Sequence, residues 1–256
     1  RQTYNPDGPI IIHVDDQKGT VLEEVLEQVD HIDLAYFAGG EPLITPEHYV
    51  ILEEMIRKGR TDTILRYNTN ASTISYKQYD IFDLWKHFDR IELSCSIDHY
   101  GERAEVMRHG TDWARVEENL TKFRSLDYVV FQLNTVFSIM NYMTITEFYE
   151  YMHTKGLVDY EHDWWHSLYL CDNPRYYSAK ALPKKMKEYA AEKIRTTYTG
   201  DKCIDRITNQ AADFAATEDN WEECKEDFFA NTNRLDEIRG EDFFKVFPEL
   251  KRLQGI

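Results

Sequence analysis

Leu34-Ala35-Tyr36-Phe37-Ala38-Gly39-Gly40-Glu41-Pro42-Leu43 is the stretch on which the reading of this chain turns. It starts as an apolar run and stops abruptly on two glycines, an acid and a proline. That is the pattern of an interior parallel strand entering a turn. Successive glycines permit positive φ and let a ligand approach the backbone closely. Glu41 falls at the carboxyl end of the strand, where parallel α/β sheets gather their ligands. Pro42 removes a backbone donor, which leaves nearby carbonyls free of a neighbouring strand. A bare strand-to-helix turn would use the same residues, so the other strands must be read before any function is assigned.

Outward from this stretch the chain alternates strands and helices. Strands are predicted from Ile64, Arg90, Val129 and Trp164, and with Leu34 their onsets lie 26 to 39 residues apart. Such intervals are those of repeated βαβ units with right-handed parallel crossovers. Helical spacing joins Val21, Leu22, Val25, Leu26 and Val29 before the first strand. After it, Thr45-Pro46-Glu47 reads as a capped helix start, with Val50, Leu52, Met55 and Ile56 as core contacts and Gly59 as the stop. Trp113, Val116, Leu120 and Phe123 mark a further helix capped by Thr111 or Asp112. Thr144 and Glu147 form a capping-box pattern for a helix ending at Gly156. Ile10 to Val14 is an apolar run amid turn formers, read as a short strand or an extended arm.

Charge and cysteine content narrow the function classes. The chain has 46 acidic and 30 basic residues, a formal charge of −16. Such a field repels nucleic-acid phosphates, and no run of Lys and Arg makes a countering patch. No apolar stretch approaches the roughly 18 residues a membrane span requires. Cys95, Cys171, Cys203 and Cys224 fit no CxxC or zinc-ribbon spacing, and they read as reduced cytoplasmic thiols. His162, His166 and Cys171 invite a metal site. The surrounding Trp164-Trp165-His166-Ser167-Leu168 reads as a strand, however, where residues four apart lack the helical geometry such a pair needs.

Polar residues recur where strands end. Asn68-Thr69-Asn70 closes the second strand, and an Asx-type turn satisfying its own backbone would account for it. On the third, alternation puts Ser94, Ser96 and Asp98 together, opposite Leu93, Cys95 and Ile97. Hydroxyls and a carboxylate on an inward face are costly unless partnered. On the fourth, Gln132, Asn134 and Ser138 make a polar stripe, with Asn141 read as a turn residue. Arg108 follows Asp98 by ten positions and is read either as a ligand-pairing guanidinium or as a surface ion pair with Glu102 or Glu105. Glu41 and Asp98 could also act as general acid and base in an aldolase- or epimerase-like barrel.

Gly39-Gly40-Glu41-Pro42 resembles the GGEP motif of radical S-adenosylmethionine (SAM) enzymes, and the resemblance extends over roughly residues 30 to 170. It implies a partial (β/α)6 TIM-like open barrel over residues 1–172, lacking its first strand and cluster loop. Residues 173–256 turn to polar, helix-leaning segments and are read as a helical carboxyl extension, in the place of the family's twitch or SPASM extension. SAM is then expected along the strand ends. The GGEP backbone and Glu41 would meet its amino group, Thr69 or Asn70 would add a polar contact, and Ser96 and Asp98 would meet its methionine and ribose portions. Arg108 would pair with its carboxylate, and Asn134 and Ser138 would border the adenosine. In that family a 4Fe–4S cluster on a CxxxCxxC loop cleaves SAM to a 5′-deoxyadenosyl radical that abstracts hydrogen from the substrate.

This chain departs from the family by having no CxxxCxxC loop. The cluster cysteines are expected upstream of Arg1, so the chain alone is read as inactive and without a cluster. The substrate is expected to be a peptide or small molecule, and the sequence leaves the oligomeric state open. Cys203 and Cys224 are too few and too far apart for an auxiliary cluster in the extension. The alternative reading is a degenerate, non-catalytic barrel that binds a peptide or nucleotide.

Overall fold

The computed structural model describes residues 21–158, 166–197 and 202–255. The run Ile10 to Val14, His162, and Trp164 with Trp165 lie outside the described residues. Helix α1 (Val21–Gln28) precedes β1 (Leu34–Phe37), α2 (Pro46–Arg57) and β2 (Ile64–Thr69). A small antiparallel hairpin, β3 (Ser75–Tyr76) with β4 (Tyr79–Asp80), leads into α3 (Ile81–Trp85) and β5 (Ile91–Ser96). Then come α4 (Gly101–Met107), α5 (Trp113–Arg124), β6 (Val129–Phe137), α6 (Ile145–Thr154) and β7 (Ser167–Leu170). The chain is thus α/β, with a five-stranded sheet in the order β1-β2-β5-β6-β7 and every adjacent pair parallel.

Each strand of this sheet is followed in the chain by its neighbour on the same side, so every crossover steps in one direction. Right-handed crossovers that all step one way carry their helices to one face. The burial pattern agrees. Ala35, Leu65, Tyr67, Ile91, Leu93, Cys95, Phe131 and Leu133 are buried, and they share a core with Leu52 and Met55 of α2, Trp85 of α3, Phe123 of α5 and Phe148 of α6. Aromatic rings fill the layer: Tyr67 lies 5.1 Å from Phe37 and 5.1 Å from Trp85, and Trp85 lies 5.7 Å from Phe123. Each such side chain contributes about 1.5–3 kcal/mol on leaving water. Residues one step out of phase, Arg66, Asn68, Glu92, Ser96, Gln132 and Asn134, lie on the opposite face and keep contact with solvent.

Local chemistry redirects several predicted caps. Asp112 is the cap of α5, accepting from Arg115 N at 3.2 Å. Thr45 does not cap α2 with its side chain; its hydroxyl donates to Glu41 O at 3.0 Å. Thr144 and Glu147 form no capping box. The Thr144 hydroxyl is taken by His99 and Arg103, while Glu147 pairs with Lys193. Val50, expected in the core, is 38% exposed, because the buried face of α2 runs through His48, Tyr49, Leu52 and Met55.

The carboxyl region is helical: α7 (Lys184–Thr196), α8 (Lys202–Ala216), α9 (Trp221–Arg239), α10 (Phe243–Val246) and a terminal 3-10 segment, Pro248–Gly255. Small side chains, Ala190 and Ala191 of α7 with Ala211, Ala212 and Ala215 of α8, are buried where these two helices pack. Helix α9 stops at Gly240, whose φ of 67° is the left-handed cap that glycine adopts at least cost. The extension grips the sheet domain. Helix α10 packs on α4, and Arg103 of α4 makes a bidentate pair with Glu249 at 2.6 and 2.8 Å.

Candidate functional site

At the end of β1, Gly39 and Gly40 take φ of 86° and 52°, conformations that L side chains rarely adopt. A β-carbon at either position would meet nothing within 4 Å, so the requirement is backbone conformation rather than space. Both glycines are exposed, whereas Glu41 turns inward and is buried. Its Oε1 accepts from Leu43 N at 3.2 Å and from Thr69 Oγ1 at 2.7 Å, and its Oε2 accepts from Asn70 N at 2.8 Å. Pro42 is buried and opens a 3-10 turn, Pro42–Ile44. Glu41 therefore ties the end of β1 to the end of β2. Thr69 is doubly engaged, since its hydroxyl also accepts from Ala71 N at 3.0 Å. Asn70, exposed, forms the Asx turn by accepting from Ser72 N at 2.8 Å.

A second set of ties joins β5 to β6. Asp98 lies beyond the last residue of β5 and is buried; its Oδ1 accepts from Val136 N at 2.8 Å and its Oδ2 from Arg108 Nε at 2.7 Å. Arg108 thus pairs with Asp98, not with Glu102 or Glu105, and Glu105 instead accepts from Trp113 N at 3.0 Å. Neither Nη group of Arg108 has a partner among the described residues. Asn141 is fully buried and does more than turn the chain. Its amide donates to Val136 O at 2.8 Å and Asp98 O at 3.1 Å, and its Oδ1 accepts from Ser138 N at 2.9 Å. Ser138 is buried in this knot, so it is less accessible than Ser96 and Asn134, which stand opposite each other across β5 and β6. The Oδ1 of Asn134 is buried without a hydrogen-bond partner.

Ser96 and Asn134 belong to the sheet face the helices leave uncovered. A cleft of ≈ 340 Å³ runs along this face, floored by Asn68, Ser94, Gln132 and Asn134 and walled by Tyr36 and Tyr169. Asn68 donates to Tyr36 OH at 2.6 Å, and Gln132 donates to Ser94 Oγ. Toward the amino ends of the strands the cleft reaches Arg66, Arg90 and Glu92. Sequence reasoning passed over Tyr36, Arg66, Arg90, Glu92 and Tyr169. The signal was the alternation itself, because Arg66 and Glu92 are in phase with Asn68 and Ser94 and pair with each other across β2 and β5.

Beside the strand ends, His99 is buried, with Nδ1 accepting from Tyr100 N at 3.0 Å and Nε2 within 3.0 Å of Thr144 Oγ1. With the proton on Nε2 both contacts are satisfied in the neutral ring. Burial, reinforced by the nearby Arg103 charge, pushes the His99 pKa down to about 3. His48, behind the sheet against Tyr67 OH at 2.8 Å, is pushed down to about 3 by burial alone. His166 accepts from Leu133 N at 3.0 Å, a backbone tie between β6 and the start of β7.

The four cysteines are free and scattered. Cys95 lies on the helix-covered face, where burial, with the Glu41 charge adding to it, holds its thiol well above its ordinary pKa. Burial also raises Cys171 and Cys224. No three His, Cys, Asp or Glu side chains among the described residues are placed to hold a metal ion together. The described residues therefore offer no ligand set for a 4Fe–4S cluster. No protein-family model matches the chain, and no curated protein matches it.

Proposed function

We propose that the chain is the larger part of a radical SAM enzyme: a partial (β/α)6 TIM-like open barrel that binds SAM along the carboxyl edge of its sheet. The supporting observation is the one-way strand order, which leaves a polar sheet face uncovered with the Gly39-Gly40 turn at its carboxyl edge. A singly wound parallel sheet with hydroxyls and amides on its uncovered face is what a partial barrel would present to its lumen, and the strand carboxyl ends are where barrels carry their sites.

The donor set suits parts of SAM. The free Nη groups of Arg108 can pair with a carboxylate in the fork geometry guanidinium favours. The exposed backbone at Gly39 and Gly40 is open to an amino group, and Ser96 with the unpartnered Oδ1 of Asn134 offers polar contacts for a ribose or base. Glu41 and Asp98, both buried and already hydrogen-bonded, brace the strand ends that hold these groups, which also disfavours a general acid–base pair. The same engagement favours one other reading, a non-catalytic module that binds a peptide or nucleotide on this edge. Cluster ligation would come from a longer protein, with a peptide or small molecule as substrate. The four free thiols suit a reducing cytoplasmic setting, and no helix among the described residues is long and apolar enough to cross a membrane.

Calorimetric titration with SAM tests the reading. Without a cluster the expected affinity is about millimolar, roughly −4 kcal/mol. Arg108→Gln should weaken it at least about tenfold, the effect of losing a charge-assisted pair. Arg115→Gln, on an exposed stretch of α5, should leave it unchanged. Equal loss in both variants, or no heat of binding in the parent, would remove the assignment.

A further inference from the structure

Glu92 stands on the uncovered sheet face, and two arginines meet its carboxylate. Arg66, beside it on β2, donates through Nε at 2.7 Å to Oε2, with Nη2 at 2.6 Å. Arg90, just ahead of β5, brings Nη2 to 2.9 Å from Oε1. A cross-strand ion pair that merely solubilises a sheet face needs one cation for one carboxylate. Here the second arginine is surplus. Among the described residues these three are the only charged groups lining the cleft, which gives them a net +1 inside a chain of formal charge −16.

Both guanidinium groups remain accessible, with side chains 45% and 50% exposed. Nη1 of Arg66 and Nε and Nη1 of Arg90 have no partner among the described residues. Farther along the same face, the buried Asn134 Oδ1 lacks a donor. Tyr36 and Tyr169, each more than half exposed, offer ring faces on the flanking strands β1 and β7. A positive end, an acceptor short of a donor and two aromatic walls describe a receptor for one kind of molecule. The cleft's ≈ 340 Å³ suits something of metabolite size.

We propose that the uncovered sheet face binds a small organic anion, whose carboxylate or phosphate pairs with the surplus guanidinium N–H groups of Arg66 and Arg90. Glu92 pre-orients both forks and competes with the ligand for them. The guanidinium end of this site lies toward the amino ends of the strands, away from the Gly39-Gly40 turn; the site shares Asn134 with the edge assigned to SAM but does not depend on that assignment.

Two probes separate the possible sources of the anion: inorganic phosphate, and 4-hydroxybenzoate as a ring-bearing carboxylate. Each is titrated into the chain while the arginine side-chain Nε–Hε signals are followed by NMR. The expected result is saturable shifts at Arg66 and Arg90 with at least one probe, at about millimolar affinity. A stronger response to 4-hydroxybenzoate assigns a carboxylate ligand held against the tyrosines, and a stronger response to phosphate assigns a phosphate ester.

The triple variant Arg66→Gln/Arg90→Gln/Glu92→Gln, which leaves no unpaired charge behind, should bind at least about tenfold more weakly. Glu92→Gln alone should bind several-fold more tightly, since it removes the competing carboxylate. Arg57→Gln, on the far side of α2, serves as control, and thermal melts confirm that each variant is folded. Absence of saturable shifts in both the parent and Glu92→Gln overturns the proposal. So does equal affinity in the parent and the triple variant.

Discussion

Neighbouring residues on β2, β5 and β6 meet opposite surroundings. Leu65, Tyr67, Leu93, Cys95 and Leu133 have no solvent exposure, while Arg66, Asn68, Glu92, Gln132 and Asn134, each one position away, stay polar and at least partly wet. The two faces share backbone, hydrogen bonds and strand length, so the difference lies only in what covers them. The covered face is held by packing, which tolerates no missing volume. The uncovered face is held by cross-strand contacts, Asn68 with Tyr36, Gln132 with Ser94 and Arg66 with Glu92, which contribute little where solvent competes for the same groups. Stability should therefore respond strongly to changes on one face and weakly to changes on the other, and ligand affinity should show the reverse.

Leu93→Ala should have the largest effect, a loss of about 2–5 kcal/mol in chemical denaturation through an unfilled cavity. Gln132→Ala, one strand away on the other face, should stay within about 0.5 kcal/mol of the parent. A comparable loss at both positions would mean that the uncovered face is packed as well. Next in size are the carboxylates. Glu41→Gln replaces an acceptor of three hydrogen bonds with an amide that opposes one of its donors, and should cost about 1–3 kcal/mol. Glu92→Gln, at a partly exposed ion pair, should cost no more than about 1 kcal/mol.

Protonation sharpens the contrast further. His48 and His99 are both held near 3, below the ordinary value of 6.5, so the unfolded chain takes up their protons first. Their contribution is intact above about pH 6.5 and is lost as pH falls toward 3. Each adds a slope of about 1.4 kcal/mol per pH unit inside that window. Unfolding curves of the parent and His48→Gln between these limits should differ in slope by one such increment. Parallel pH profiles would show that His48 is not held neutral behind the sheet.

Much of this organisation was legible in the chain. The strands beginning at Leu34, Ile64, Ile91 and Val129 follow from apolar alternation closed by turn residues, a local signal. Alternation also separated Ser94 and Ser96 from Leu93 and Cys95. What it could not supply was which face the helices would cover, because that depends on the direction in which every crossover steps. Arg66 and Glu92 therefore passed unnoticed although they lie in phase with Asn68 and Ser94. Non-local hydrogen bonds were equally hidden. Glu41 finds Thr69 and Asn70 across 28 and 29 positions, and the Thr144 hydroxyl accepts from His99 rather than capping its own helix. Local capping rules are weak where a buried group nearby needs the same hydroxyl.

The most direct test of the account is an amide NMR map of SAM binding to this chain. The reading predicts shifts centred on Gly39, Gly40, Ser96 and Asn134, with Leu65, Leu93 and Leu133 on the covered face left nearly unmoved. Shifts confined to helices α7 to α9, or none at saturating SAM, would contradict it.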